Sequence, residues 1–281
     1  MKNYLLYNPL SSNGTVDADL DKLASSENDI RVDITTITDY GEFLASLEPD
    51  DRITLCGGDG TVNVFAQNIL GLELKNEVYL YPIGTGNDFA RDLGKERCAT
   101  PDFPITQYIK NLPTVTVNGE ERVFINGVGY GIDGYCCEMG DKQKKESDKP
   151  VNYTAIAIKG LLFDYKPTTA TVTVDGKSFT YKNVWICPTM NGRYYGGGML
   201  CAPEQTRDGK QLSLVLMHKG GKLRTLCVFP SIFKGKHIDH KKTVAMHIGK
   251  DILVEFDSPR PLQIDGETYL NVSSYHAKVN G

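Results

Sequence analysis

Apolar and polar positions divide the chain into two halves with different periodicities. Over about the first 120 residues, short β-rich runs such as RITLC and EVYLYPI alternate with helical patterns such as VNVFAQNIL. This rhythm is typical of a parallel sheet flanked by helices. From about residue 114 strict alternation dominates, as in TVTVN, QLSLVLMH and ILVEF. The second half is therefore predicted to be a mainly antiparallel β domain.

A few segments of the second half depart from this alternation. NYTAIAIKGLLFDY and KLRTLCVFPSIFKG carry apolar residues at helical spacing. VTVDGKSFTY places Asp175 and Gly176 between two alternating runs, which predicts a hairpin. The charged stretch GDKQKKESDKP, residues 140–150, is predicted to be a mobile loop.

Composition and charge exclude several classes of protein. A chain of 281 residues with 40% hydrophobic content can bury a full core and is expected to form two domains. The net charge of −4 argues against a dedicated nucleic-acid binder. No apolar run reaches the length of a signal peptide or a membrane span, which predicts a cytoplasmic protein. The seven cysteines lack paired spacing and are expected to be reduced, mostly as core residues, including the vicinal Cys136 and Cys137.

Two glycine-rich turns follow consecutive predicted strands. The first, in LCGGDGTVN, places three glycines around Asp59, and the second lies in PIGTGNDFARDLG. Glycine permits positive φ and close approach of a ligand, and a helix beginning near Thr61 would present N–H groups to phosphate. In the second turn, Asn87 or Asp88 is predicted to cap a helix beginning at Phe89. Each turn alone is explained as well by a tight turn with a helix cap, whereas the pair predicts a polyphosphate site.

Two further glycine motifs do not support nucleotide binding. GYGIDG, residues 129–134, fits the pattern GxGxxG, but no convincing long helix and no parallel strand are predicted after it. DGKS, residues 175–178, ends like a P-loop, yet Thr171 stands where the first glycine is required. The first is not predicted to bind a dinucleotide, and the second is predicted to be a hairpin turn.

Seven segments spread along the chain form a specific set. They are NPLSSNG at 8–14, GGDGTVN at 57–63, PIGTGNDFAR at 82–91, NGVGYGIDG at 126–134, DYKP at 164–167, GGGMLCAPEQTRDG at 196–209 and QIDGE at 263–267. In this order they resemble the bacterial diacylglycerol kinase and lipid kinase family, whose catalytic domain is shared with sphingosine and ceramide kinases. The resemblance implies an NAD-kinase-like α/β domain over 1–121, with a parallel sheet and flanking helices. It also implies a mainly antiparallel β-sandwich domain over 122–270 for the lipid substrate, with a tail, 271–281, that can pack back on the first domain.

The resemblance also implies an ATP site and a catalytic pair. Glu267 would accept the proton of the lipid hydroxyl, and Asp265 and Asp59 would meet Mg²⁺ directly or through water. An ordinary hairpin turn with an exposed Glu is the alternative for DGE. The residues expected to contact ATP are Asn8, Pro9, Ser11, Ser12, Thr36, Gly57, Gly58, Asp59, Gly60, Thr61, Val62, Asn63, Gly84, Thr85 and Asn87.

A second, structural Mg²⁺ site is implied near residue 208. Asp208 would supply a carboxylate, and the main-chain carbonyls of Gln205 and Lys210 would complete the ligands. A turn Asp before Gly explains the same residues nearly as well.

Two departures from the family pattern keep other functions open. Val64 stands where the family usually has Glu, and Ser12 where it usually has Gly. The main expectation is an ATP- and Mg²⁺-dependent lipid kinase acting on diacylglycerol or a related lipid. The alternatives are a kinase of a soluble acceptor such as NAD, or a non-catalytic nucleotide-binding regulator.

The expected partners follow from the implied substrate. A lipid kinase must reach its acceptor at a membrane surface, so peripheral contact with the inner membrane face is expected, and a homodimer is allowed. Two basic clusters, one in residues 142–149 and one in FKGKHIDHKK, fit such contact, although solvated faces are the commoner meaning of charge runs. His237 and His240 have a helical metal spacing without a third ligand, which predicts surface histidines.

Overall fold

The structure is a computed structural model that describes residues 1–9, 20–21, 23, 26–83, 86–96, 100, 103–147 and 151–280, without the side chain of Thr154. The chain forms two compact units, Met1–Leu112 and Pro113–Gly281. The predicted boundary after residue 121 lies later than this division. The reason is that the strand Thr114–Val117 pairs within the second unit.

The first unit is an α/β fold around one sheet. Its strands are β1 (Asn3–Tyr7), β2 (Asp29–Asp33), β3 (Arg52–Cys56), β4 (Val78–Tyr81) and β5 (Phe103–Pro104). Its described helices are α1 (Tyr40–Ala45), α2 (Asp59–Asn68), α3 (Asp88–Asp92) and α4 (Thr106–Ile109), with a 3₁₀ turn at Ile34–Thr36. The strand order is β2-β1-β3-β4-β5, and every pair is parallel except β4 with β5. The predicted parallel sheet is therefore present, with one short antiparallel edge strand.

The register of this sheet aligns the carboxyl ends of four strands. Tyr7 pairs with both Asp33 and Cys56, and Cys56 pairs with Tyr81. Apolar side chains of the central strands, such as Leu5 and Leu55, are fully buried. The segments that follow β1, β2, β3 and β4 therefore all begin at the same edge, where ligands bind in open α/β sheets.

The second unit is built on a large antiparallel sheet. Its strands are β6 (Thr114–Val117), β7 (Glu120–Val123), β8 (Gly127–Tyr130), β9 (Thr168–Val174), β10 (Lys177–Val184), β11 (Thr189–Met190), β12 (Tyr194–Tyr195), β13 (Met199–Leu200), β14 (Leu212–Met217), β15 (Val244–Gly249), β16 (Asp251–Ile264) and β17 (Glu267–Lys278). Its helices are α5 (Ile132–Glu146), α6 (Tyr153–Lys159) and α7 (Lys222–Val228). A π-helical turn spans Gly160–Asp164, and 3₁₀ turns span Phe229–Lys234 and Lys236–Asp239. The predicted antiparallel β domain is confirmed.

The path of the sheet explains where the end of the chain lies. The main strand order is β15-β14-β11-β8-β16-β17-β6-β7, with β9 on β16 and β10 on β9. Strand β17 pairs with β16 along its length and with β6 on its other side. Residues 267–278 thus belong to the sheet of the second unit, whereas the sequence allowed the tail from 271 to pack on the first.

Helix α5 differs from the sequence prediction. The stretch after GYGIDG was expected to lack a long helix, and residues 140–150 to form a loop, but α5 runs from Ile132 to Glu146. Residues 148–150 lie outside the described residues. Pairs at helical spacing, Lys142 with Glu138 at 2.7 Å and Lys144 with Asp141 at 3.8 Å, favour the helix. Lys144 and Lys145 also occupy its last turn, where the helix dipole favours cations.

The described helices are short or polar. Within the described ranges, no helix is both long enough and apolar enough to cross a bilayer.

Candidate functional site

The predicted nucleotide residues of the first unit gather at one edge of its sheet. Asn8 directly follows β1, Gly57 follows β3, and Thr36 ends the 3₁₀ turn after β2. Since these strands end in register, the three positions share the carboxyl edge. Thr36 is exposed, and its hydroxyl donates to the carbonyl of Asp33 at 2.8 Å. The predicted contacts Ser11, Ser12, Gly84 and Thr85 lie outside the described residues.

The first glycine-rich turn needs its glycines for a different reason from the predicted one. Gly57, Gly58 and Gly60 are all within the described part of the chain, and none has a positive φ. Gly58 has φ −99° and ψ −160°, which other residues can adopt. At Gly57 the constraint is space, because a Cβ atom there would lie 2.0 Å from Oγ1 of Thr61. The expectation of positive φ at this turn is therefore wrong, and close packing on the first turn of α2 requires the glycine.

Asp59 joins the two glycine-rich turns. Its Oδ2 accepts the main-chain N–H of Asp88, its Oδ1 accepts that of Phe89, and both distances are 2.9 Å. Its own N–H donates to the carbonyl of Gly86 at 2.9 Å. The carboxylate thus caps α3, which begins at Asp88. Asn87, the N-cap residue, makes no cap bond through its side chain. The predicted cap is therefore wrong: Asp59 of the first turn, rather than Asn87 or Asp88, caps this helix.

Three other predicted contacts are in the first turns of α2. Thr61, Val62 and Asn63 are buried, and Val62 is 1% exposed in the core. The N–H groups of Thr61 and Val62 both donate to the carbonyl of Gly58. The side chain of Val62 is therefore not accessible to a ligand at this turn. Their roles, like those of Pro9 and Asn87, stay predictions.

In the second unit, Asp265 anchors the turn between β16 and β17. Asp265 has φ +47° and Gly266 has φ +96°, as in the hairpin turns that Asp-Gly pairs form. The carboxylate of Asp265 accepts the N–H of Ile125 at 2.6 Å, of Asn126 at 2.8 Å and of Gly127 at 3.0 Å. These bonds fix the hairpin on the segment that leads into β8.

Glu267 stands just beyond this anchored turn. Its side chain is exposed, and its Oε2 accepts a hydrogen bond from the hydroxyl of Tyr269 at 3.2 Å. Burial and the negative charge of Glu267 raise the pKa of Tyr269 to about 12, so the phenol stays protonated as a donor at neutral pH. The guanidinium of Arg122 lies 5.4 Å from the Tyr269 ring. The arrangement is a hairpin with an exposed Glu, as the alternative stated, and it also leaves a carboxylate accessible to a substrate.

Arg207 and Asn191 support the same turn, and sequence reasoning missed them. Arg207 donates to the carbonyl of Ile125 and to Oδ1 of Asn126, each at 2.5 Å. Asn191 donates to the carbonyl of Ile125 at 3.1 Å. The bonds made by Arg207 and by Asp265 therefore meet on residues 125 and 126. The available sequence signal was the Arg that directly precedes the Asp208-Gly209 pair.

The predicted Mg²⁺ site at Gln205, Asp208 and Lys210 shows one exposed carboxylate. Oδ1 of Asp208 accepts the N–H of Lys210 at 3.1 Å. Gln205 is buried, and its amide nitrogen donates to the carbonyls of Thr206 and Gln211 at 3.1 and 2.8 Å. Among the described residues, no group of three or more His, Cys, Asp or Glu side chains could hold a metal ion. The predicted Mg²⁺ site relies on one carboxylate and two main-chain carbonyls instead, and it stays a prediction.

The GYGIDG motif serves packing in this structure. A Cβ atom at Gly134 would lie 2.0 Å from the main-chain oxygen of Pro261, so the glycine allows α5 to approach β16. In the same motif, Asp133 is buried and accepts a hydrogen bond from the Tyr195 hydroxyl at 2.9 Å. Burial raises the pKa of Asp133 to about 7. A buried carboxyl group with such a pKa is a candidate functional residue that sequence reasoning missed.

The burial of three His and Cys residues can be compared with the sequence predictions. His237, predicted on the surface, is fully buried and contacts the carbonyl of Cys201 through Nε2 at 2.9 Å. Burial lowers its pKa, so it is neutral at physiological pH. His240 is exposed, as predicted. Burial raises the pKa of Cys136 far above its usual range, which gives no support for a reactive thiolate.

Both units match domains of one class of kinase. Residues 2–116 match the diacylglycerol kinase catalytic domain. Residues 126–278 match the YegS C-terminal NAD kinase beta sandwich-like domain. The two matches follow each other in the chain and cover nearly all of it. The chain belongs to the diacylglycerol kinase family of lipid kinases.

Individual relatives agree with this family. A diacylglycerol kinase of Mycobacterium tuberculosis is 26% identical over 195 residues, which are 67% of this chain and 62% of that protein. A diacylglycerol kinase of Bacillus subtilis is 26% identical over 79% of this chain and 73% of its own length. The chain thus spans less than two thirds of the mycobacterial relative. A crystal structure of a diacylglycerol kinase from Bacillus anthracis shares the fold, with a TM-score of 0.69 over 99% of this chain and 93% of that one at 21% identity.

Proposed function

We propose that this chain transfers the γ-phosphoryl group of ATP to the hydroxyl of diacylglycerol or a closely related lipid. The observation that carries the proposal is the exposed Glu267 on a hairpin that Asp265 anchors through three main-chain bonds. Membership of a lipid kinase family supports the choice of acceptor. The glycine-rich edge of the first unit supports a nucleotide as the phosphoryl donor.

The nucleotide half of the proposal uses main-chain donors. Turns at the carboxyl edge of a parallel sheet present N–H groups to phosphate oxygens, and the dipole of α2 adds partial positive charge at its N-terminus. Asp59 keeps the two turns together by capping α3, so the edge is held in one shape before the nucleotide arrives. ATP enters as its Mg²⁺ complex, and the ion that neutralises the phosphates is thus part of the substrate.

The acceptor half of the proposal uses Glu267 as the general base. The lipid hydroxyl loses its proton to the Glu267 carboxylate as its oxygen forms a bond with the γ-phosphorus. The bond between that phosphorus and the oxygen bridging to the β-phosphate breaks, and ADP leaves with the electron pair. Tyr269 donates to Oε2 and holds the carboxylate in place. Glu267 then returns the proton to solvent.

One experiment tests the proposal against its alternatives. The purified protein is incubated with γ-labelled ATP, Mg²⁺ and a total bacterial lipid extract, with NAD as the acceptor in a parallel reaction. A labelled lipid is the expected product. Labelled NADP would contradict the proposal and identify a soluble acceptor. Nucleotide binding without any transfer would also contradict it and identify a regulator.

A matched pair of variants assigns the base. Glu267→Gln is expected to reduce turnover by about 10²-fold or more, the usual scale for a lost general base, with ATP binding retained. Glu255→Gln is the control, because Glu255 is an exposed residue of β16 in the same hairpin. Equal turnover in the two variants would remove Glu267 from the mechanism.

A further inference from the structure

The second unit exposes large apolar side chains on two neighbouring segments. Leu223 is 75% exposed and Phe163 is 71% exposed, which makes them the most exposed large apolar residues described in this unit. Leu223 lies in the first turn of α7, and Phe163 lies in the π-helical turn Gly160–Asp164. Solvent exposure of two such side chains costs free energy unless something covers them.

A direct hydrogen bond places the two segments side by side. The ammonium group of Lys222 donates to the main-chain carbonyl of Leu162 at 2.8 Å. Since Leu223 follows Lys222 and Phe163 follows Leu162, the two exposed residues lie on neighbouring segments.

The apolar stripe continues along α7 and the 3₁₀ turn that follows it. Leu223, Cys227, Pro230 and Phe233 are all exposed, and they recur at intervals of four, three and three residues. This spacing puts them on one face of the helical run. The opposite face is already packed, since its residues, Thr225, Val228, Phe229 and Ile232, are buried. The exposed stripe is therefore a second apolar face of a run whose core-facing side is complete.

The segment that carries this stripe is rich in positive charge. Residues 219–242 contain seven Lys and Arg residues and one acidic residue, Asp239, in a chain whose net charge is −4. All seven are exposed, and within the described residues none forms an ion pair with an acidic side chain. They are Lys219, Lys222, Arg224, Lys234, Lys236, Lys241 and Lys242.

We propose that these apolar residues, Phe163, Leu223, Cys227, Pro230 and Phe233, with the seven basic residues, form a docking face for a bilayer that contains anionic lipids. An apolar stripe flanked by Lys and Arg is the pattern of segments that lie in the membrane interface. The apolar side chains enter the acyl boundary while the basic groups pair with phosphate headgroups. A second protein would have to offer an acidic rim around an apolar centre, whereas an anionic bilayer offers both over any area. The inference rests on the proposed function, because the use of such a face would be to bring the enzyme to a lipid acceptor.

Vesicle cosedimentation without nucleotide tests the face independently of catalysis. The protein is expected to bind vesicles of phosphatidylcholine with phosphatidylglycerol and to bind phosphatidylcholine alone much more weakly. The double variant Phe163→Ser with Leu223→Ser should lower binding to the mixed vesicles at least about tenfold. The control double variant, Ile248→Ser with Leu270→Ser, changes residues that are 50% and 54% exposed on strands and should bind like the parent.

Charge variants provide a second measurement. Lys234→Gln with Lys236→Gln should lower binding to mixed vesicles about tenfold or more, whereas Lys177→Gln with Lys250→Gln, exposed lysines elsewhere in the unit, should not. Raising the salt from about 0.1 M to about 0.5 M should weaken binding of the parent, because ions screen the headgroup charges. Circular dichroism and the thermal midpoint establish that each variant is folded.

A fluorescent reporter locates the contact. Trp185, the single tryptophan, is buried, so it gives a constant background. Leu223→Trp should shift its emission to shorter wavelength when mixed vesicles are added, and Leu270→Trp should not. This measurement decides the question even if the serine variant is too unstable to use.

The outcomes separate this inference from the proposed function. Equal vesicle binding by parent, Phe163/Leu223 and Ile248/Leu270 variants overturns the docking face, whatever the turnover. A change in oligomeric state of the Phe163/Leu223 variant without loss of vesicle binding also overturns it and assigns the face to a second copy. Absence of transfer to any acceptor would overturn the kinase activity alone. With both correct, the Phe163/Leu223 variant keeps its turnover on detergent-dispersed diacylglycerol and loses it on vesicles.

Discussion

The carboxylate of Asp59 accepts the main-chain N–H of Phe89 at 2.9 Å, across a separation of 30 residues in the chain. The bond ties one glycine-rich turn to the helix that follows the other. An acid at the centre of GGDGT therefore stabilises the shape of the nucleotide edge, apart from any role towards a metal.

Asp59→Asn is expected to lower the free energy of unfolding by about 1–2 kcal/mol, the range for a lost helix cap. The reason is that the amide group keeps one acceptor and turns a donor towards a main-chain N–H. Urea unfolding measures the change. Asp50→Asn, an exposed acid near the N-terminal ammonium, is the control and should change stability little.

Calorimetric ATP titrations of the same variant, with and without Mg²⁺, examine its second predicted role. We expect parent and Asp59→Asn to depend equally on Mg²⁺, since both carboxylate oxygens accept main-chain N–H groups. A variant whose ATP affinity no longer depends on Mg²⁺ would contradict this and show that Asp59 meets the metal.

Asp265→Asn and Asp175→Asn form a matched pair. Both Asp residues have φ +47° in Asp-Gly hairpins, and Asn tolerates that conformation. Asp175 also accepts two main-chain N–H groups, from Lys250 at 2.9 Å and Asp251 at 3.0 Å.

Each of these two Asn variants should lose about 1–3 kcal/mol of stability. Only Asp265→Asn should also reduce turnover of the folded protein, by about tenfold, because its hairpin carries Glu267 and a small displacement of the base is costly. Equal turnover in the two variants would show that the hydrogen bonds of Asp265 do not affect catalysis.

Gly134→Ala is expected to destabilise the second unit by about 3 kcal/mol or more, since the added methyl group meets backbone that cannot move aside cheaply. The nearest atom is the main-chain oxygen of Pro261 at 2.0 Å. Gly60→Ala is the contrast, because a Cβ atom there has no neighbour within 4 Å and lies in α2. That variant should be more stable by about 0.5–1 kcal/mol. Thermal and urea unfolding measure both, and a stable Gly134→Ala protein would show that α5 can shift away from β16.

Asp133→Asn should change how stability depends on pH. The folded pKa of Asp133 is about 7 and its ordinary value is 3.8, so the protonated group favours the folded state. That contribution is fully present below pH 3.8 and is lost as the pH rises through about 7. The variant keeps an acceptor for Tyr195 without a charge. Its stability relative to the parent should therefore rise between pH 4 and pH 8, by up to about 4 kcal/mol.

Urea unfolding at several pH values checks this expectation. Asp239→Asn, at an exposed acid of the same unit, is the control and should show no such trend. A constant difference between Asp133→Asn and the parent at all pH values would mean that Asp133 is ionised in the folded protein.

The features that the sequence predicted well are local or carried by the family resemblance. Asp-Gly at 175–176 and 265–266 encodes its hairpins through residues that tolerate positive φ. The change from helical to alternating periodicity marked the second unit within a few residues of its start at 113. The catalytic role of Glu267 stays a prediction that rests on the family motif, since an exposed Glu after a hairpin has no local signature of its own.

The features that the sequence did not predict depend on distant partners. Asp59 caps a helix 29 residues away, and His237 is buried against a carbonyl 36 residues before it. Helix α5 was not predicted because its second half is polar on all sides, a pattern that is also typical of a loop. The sequence evidence for the helix is the charge pairs at helical spacing, such as Glu138 with Lys142. The sequence alone does not show which distant polar groups will form hydrogen bonds in the folded protein.

The pairing of β17 with β6 has a consequence for synthesis on the ribosome. Strand β6 is the first of the second unit and β17 the last, yet Lys278 pairs with Thr114. The described strands of the first unit all lie within Met1–Leu112, so their sheet can form while the rest of the chain is still being made. Strand β6, in contrast, must wait with one edge open until residues 275–278, which pair with it, have emerged. A stalled or truncated product would expose that edge as a template for aggregation, and chaperones would be needed most during this interval.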